Sequence, residues 1–160
     1  MSAKRISLLA LFLALSVIGA SLKIPAAIGS VALDLFPALL AAIFLGRMSG
    51  MIVASFGHIL SALIVGMPLG PIHIMIALEM AVIVWVFQFI YDHHRLKLAG
   101  FFVIMSNTFI APIPMIFLFD MNFYIAVLPS LFVGSIVNTV VSIWLAPKIE
   151  GIFNKVLVNE

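Results

Sequence analysis

Gly66-Met67-Pro68-Leu69-Gly70-Pro71-Ile72-His73-Ile74-Met75-Ile76-Ala77-Leu78-Glu79 opens as a tight turn and continues as an apolar helix carrying a histidine and a glutamate. Its meaning depends on the solvent around it. The chain is 65% hydrophobic and 9% charged, with a mean hydropathy of +1.34. A soluble domain has about 45–50% apolar and about 25% charged residues. The solvent is therefore a bilayer, and His73 and Glu79 are ionisable groups entering hydrocarbon. Such groups are expensive there and mark functional sites that face the protein interior.

The hydrophobicity extends along the whole chain, so residues 1–160 read as a single transmembrane domain. The fold class is all-α, with room for five or six spans of about 20 residues. The first apolar run is too long for a cleavable signal peptide and lacks a small-residue cleavage site. The sequence contains no cysteine, which excludes disulfides, iron–sulfur clusters, thiolate metal sites and a cysteine nucleophile. The pI near 9.2 reflects a small basic excess. It reads as membrane topology, not nucleic-acid binding.

Six spans follow from the apolar runs and their breakers. They cover roughly Ile6–Ile24, Leu33–Leu45, Met51–Val65, Pro71–Ile90, Ala99–Phe119 and Phe123–Leu145. Residues 25–32 read as a loop and residues 46–50 as a tight turn. The second span is short for a crossing, so tilt or partial helicity is expected. Residues 148–160 read as a tail beyond Pro147. Six spans with cytoplasmic N- and C-termini put Lys4, Arg5, Arg47, Arg95, Lys97, Lys148 and Lys155 inside and only Lys23 outside, as the positive-inside rule requires. Pro25, Pro37, Pro68, Pro71, Pro112, Pro114 and Pro129 then fall in the outer half. Irregular backbone at membrane depth survives where it is buried in protein or lines a cavity, so the outer half is where helices open around something.

Two stripes of small residues recur at helical spacing. Ala3, Ser7, Ala10 and Ala14 lie on one face of the first span, and Gly50, Ala54, Gly57 and Ser61 on one face of the third. Each permits close approach of another helix, either within the chain or from a partner subunit.

A rise of 1.5 Å per residue puts Glu79 about 12 Å below the outer end of its helix, with His58 at a similar depth. Equal depth allows a His58–Glu79 hydrogen bond or ion pair. His73 sits nearer the mouth, and Asn107 and Asn138 lie deeper on the last two spans. Together His58, His73, Glu79, Asn107 and Asn138 form a polar column descending from outside, the candidate substrate-binding set. The alternative is structural: His58 satisfying Glu79, and the asparagines acting as interhelical hydrogen-bond glue. His58, His73 and Glu79 are zinc-type ligands, but no HExxH spacing joins them and no metal or other cofactor is expected. The chain has no GxxxxGK[ST] phosphate loop and no GxSxG elbow, so it is not expected to hydrolyse ATP or to act as an enzyme.

These features resemble the substrate-binding S-components of energy-coupling factor (ECF) transporters, which import vitamins in prokaryotes. The resemblance rests on size, six spans, the Ala10-Leu11-Phe12-Leu13-Ala14 motif, the Gly46–Gly50 turn and the Gly66–Pro71 turn. It implies an outward-facing site in a prokaryotic plasma-membrane protein that partners with a transmembrane scaffold subunit and two ATPase subunits. It further implies that Ala10 and Ala14 dock on the scaffold. Ser55-Phe56-Gly57-His58, Gly66–Glu79 and Asn107–Pro114 look most like the subgroup assigned to alpha-ribazole, a benzimidazole nucleoside of cobalamin salvage. Ser2 stands where the nickel and cobalt members carry histidine. Two other readings stand beside this one: a proton-coupled secondary carrier using Glu79 and His58 as a relay, and a membrane enzyme using the same groups.

Overall fold

A computed structural model describes residues 2–22, 24–25 and 30–158. Helix α1 spans Ala3–Ser21, and a two-residue antiparallel pair, β1 (Ile24–Pro25) with β2 (Ser30–Val31), follows it. The remaining elements are α2 (Leu35–Leu45), α3 (Arg47–Ile64), α4 (Ile72–Asp92), α5 (Leu96–Met105), a π-helical turn over Ser106–Ile110, α6 (Pro114–Leu118) and α7 (Met121–Val158). Five stretches are long and apolar enough to cross a membrane: α1, α3, α4, the α5–α6 run and α7. The sixth expected span, α2, has only 11 residues. Lys23, the one basic residue expected outside, lies outside the described residues.

The apolar pattern is that of a bundle in lipid. Leu78, Phe117, Ile125 and Trp144 are each more than half exposed on the bundle surface. The buried core is built largely of α2, with Leu35, Ala38, Leu39, Leu40, Ala41 and Ala42 essentially inaccessible. Its shortness goes with burial, since α1, α3, α4 and α7 all pack against it.

Close packing follows the second small-residue stripe. A Cβ on Gly50 would sit 2.5 Å from Ala42 Cβ and 2.9 Å from Val84 Cγ1, and one on Gly57 would meet the Ser16 side chain. The stripe of α3 is therefore an internal seam that accepts α1, α2 and α4. The first stripe is different: Ala3, Ser7, Ala10 and Ala14 are all exposed on the outer face of α1.

Two boundaries differ from the sequence reading. The turn expected at residues 46–50 contracts to Gly46, whose φ of 89° is open to glycine, and α3 begins at Arg47. The expected tail from 148 is helical, because α7 continues through Pro129 and Pro147 to Val158. Neighbouring helices can tolerate such prolines in a membrane bundle. Packing holds the extension in place: Phe153 stacks on Phe12 and Phe44 at centroid distances of 5.4 and 4.5 Å, and closes the inner end of the bundle.

Candidate functional site

The end of the bundle that the sequence reading puts outside holds two adjoining cavities. The first, about 140 Å³, is almost wholly apolar and is lined by Pro112, Met115, Phe123 and Val127, with Glu79 and Asn107 in its wall. The second, about 260 Å³, is the more polar of the two and sets Asp34, His58, Asn107, Ser130, Ser135 and Asn138 among apolar neighbours such as Leu35, Ile76 and Met80. Ile76, Asn107, Val127 and Leu131 border both, so the two are compartments of one site. Together they fall within the roughly 300–1,000 Å³ typical of small-molecule pockets. An indentation of about 400 Å³ at the inner end, beside Tyr91 and Glu150, shares no lining residue with either compartment.

Proline chemistry presents Asn107. Pro112 has no N–H to give to the carbonyl four residues back and would clash with it. The helix widens instead into a π turn, closed by Ala111 N–H donating to Ser106 O at 2.8 Å. Such π turns occur frequently at functional sites. Asn107 Nδ2 donates to Ser135 Oγ at 2.9 Å, and Ser135 Oγ donates to Leu131 O. With the serine proton spent, its oxygen must accept, which orients the asparagine and leaves Oδ1 as its open atom.

Asn138 has no such freedom. Its Nδ2 donates to Ala32 O and Gly134 O, both at 2.9 Å, and its Oδ1 accepts from Phe36 N–H at 2.8 Å. Each side-chain heteroatom is engaged, so Asn138 fixes the start of α2 against α7 and forms the wall of the polar compartment.

The histidines form a directional chain. Leu69 N–H donates to His73 Nε2 at 3.4 Å, so the proton of the neutral ring sits on Nδ1. Nδ1 lies 3.1 Å from His58 Nε2, which puts the His58 proton on its own Nδ1. That atom faces Asp34 Oδ2 at 3.5 Å. The backbone of Asp34 is held in turn by Ser16, whose Oγ donates to Asp34 O at 2.7 Å.

The structure therefore gives His58 a different partner from the one equal depth allowed. Glu79 does not contact it, and Glu79 Oε2 is buried without a hydrogen-bond partner among the described residues. The reason is azimuth. At 3.6 residues per turn, His73 and Glu79, six positions apart, point about 120° away from each other. When His73 faces His58, Glu79 is turned toward the apolar compartment and an open groove beside Leu78, Val82 and Ile110. Of the five candidate residues, His58, Asn107 and Asn138 line the polar compartment and Glu79 the apolar one. His73 lines neither and stands behind His58. Sequence reasoning missed Asp34. Its signal was a carboxylate at the start of an apolar run too short to cross a membrane, and the structure leaves it only 8% exposed.

A family model, described as ECF transporter, substrate-specific component, matches residues 4–157. No curated protein matches the chain. The family match spans nearly the whole chain, including every element that builds the site, and the chain belongs to the family of substrate-specific components of ECF transporters.

Proposed function

We propose that this ECF substrate-specific subunit captures a small vitamin-related molecule, with alpha-ribazole the leading ligand, on the outer side of a prokaryotic plasma membrane. A scaffold subunit and two ATPase subunits then drive its delivery inward. The observation that carries the reading is the division of the site into an almost wholly apolar compartment and an adjoining one that holds polar side chains. A benzimidazole suits the first, against Pro112, Met115 and Phe123, and a ribose suits the second. Asn107 stands at the division, and Glu79 lines the apolar compartment. His58, His73 and Asn138 hold the wall in shape.

The outward placement of Ala10 and Ala14 supports α1 as the scaffold-docking face. The separation of the outer site from the inner indentation supports a binding subunit over a self-sufficient proton-coupled carrier. The test is calorimetric titration of the purified chain with alpha-ribazole, alongside Glu79→Ala. We expect stoichiometric binding by the wild type and at least tenfold weaker binding by the folded variant. No heat with the wild type would rule out this ligand. Unchanged affinity in the variant would remove Glu79 from the site.

A further inference from the structure

Hydrogen-bond accounting in the outer cavity leaves an asymmetric remainder. The donors are engaged: both ring nitrogens of His58 face protein partners, both side-chain amide atoms of Asn138 are bonded, Asn107 Nδ2 is held by Ser135, Ser135 donates to Leu131 O, and Ser130 has a partner of its own. Three acceptors stay open. Asp34 uses Oδ2 toward His58 and has no partner for Oδ1 among the described residues. Asn107 keeps Oδ1. Glu79 Oε2 is buried and unpartnered. Among the described residues, no lysine or arginine lines either compartment.

We propose that the site selects its ligand by charge and hydrogen-bond sense, with Asp34, Asn107 and Glu79 accepting from a neutral or cationic donor and excluding anions. Asp34 is a ligand-contacting residue in this scheme, and the Leu69–His73–His58 chain is its positioning device. The physics is one-sided. A carboxylate or phosphate brought into a low-dielectric cavity beside two acidic side chains finds repulsion and no donor to offset its desolvation. A hydroxyl or an ammonium group satisfies the acceptors, and the ammonium also neutralises them. Discrimination of this kind comes from unpaired polar groups more than from shape.

The inference deepens the proposed function and rests on it for the benzimidazole body of the ligand. Its test uses three probes sharing that body: the benzimidazole ribonucleoside, its 5′-amino-5′-deoxy analogue and its 5′-monophosphate. Each is titrated calorimetrically into the detergent-purified full chain. The amine should bind at least as tightly as the nucleoside, and the phosphate more than tenfold more weakly. A phosphate within tenfold of the nucleoside, or an amine weaker than the nucleoside, overturns the proposal.

Asp34→Asn should lower the amine-to-nucleoside affinity ratio at least threefold, and Glu79→Gln likewise. A purely structural role for either would lower both affinities together and leave the ratio unchanged, which would remove that residue from ligand contact. If none of the three probes binds, the alpha-ribazole reading falls and the charge rule is decided separately by thermal shift with water-soluble vitamins grouped by charge. Stabilisation by neutral or cationic members sustains it. Stabilisation by anionic members alone, or by none, overturns it.

Discussion

Replacing Gly57 with alanine tests the packing on which the site depends. The new Cβ would meet the Ser16 hydroxyl and approach Ser16 Cβ to 2.9 Å. Overpacking a tight contact costs about 1–3 kcal/mol. Pushing the Ser16 hydroxyl aside also breaks its buried bond to Asp34 O, worth about 1 kcal/mol. Alanine returns about 1 kcal/mol in helix propensity. The net loss is about 2 kcal/mol, which for a chain of this size lowers Tm by roughly 4–8 °C. Intrinsic fluorescence of Trp85 and Trp144 in detergent can follow the unfolding. Because Ser16 anchors the backbone of Asp34, ligand affinity should fall with stability. Adding Ser16→Gly removes the opposing Cβ but not the lost hydrogen bond, so the double variant should recover about 1 kcal/mol relative to Gly57→Ala alone. A Gly57→Ala chain with unchanged Tm, or a double variant whose losses simply add, would refute the contact.

Asn138→Ala should cost about 2–4 kcal/mol, since it leaves Phe36 N–H without an acceptor and takes a donor from Ala32 O, measured as a fall in Tm that saturating ligand does not restore. Phe153→Ala should cost about 3 kcal/mol by emptying the stack with Phe12 and Phe44, and an unchanged Tm would show the inner end of α7 to be dispensable. Replacing Ala10 and Ala14 together with leucine should prevent co-purification with the scaffold and ATPase subunits while sparing ligand affinity. An intact complex would move the docking face elsewhere.

The sequence exposed most of the framework because its signals are local. Gly46, Gly66 and Gly70 each adopt positive φ where breakers interrupt apolar runs, and Gly50 and Gly57 lie in a seam legible from spacing alone. Depth was also legible, because rise per residue converts a sequence number into a height. Azimuth was not, because rotation about a helix axis is set by what packs on each face. That is why His58 could be put level with Glu79 and yet meets Asp34 and His73. The helical course of residues 148–158 was hidden for a related reason. A proline marks a local break, while the stacking of Phe153 that holds the helix beyond it joins residues more than a hundred positions apart. The π turn at Ser106–Ile110 lay between these cases: Pro112 announced an irregularity but not its form.

The stunted length of α2 carries a geometric consequence. Eleven residues reach about 16 Å, against a hydrocarbon thickness of about 30 Å. The shortfall is about nine residues, about 14 Å of helix, and the start of α2 borders the larger compartment through Asp34 and Leu35. A longer α2 would therefore run into the polar side of the proposed binding site. Grafting helical turns onto the start of α2 would plug it from below, one turn at a time.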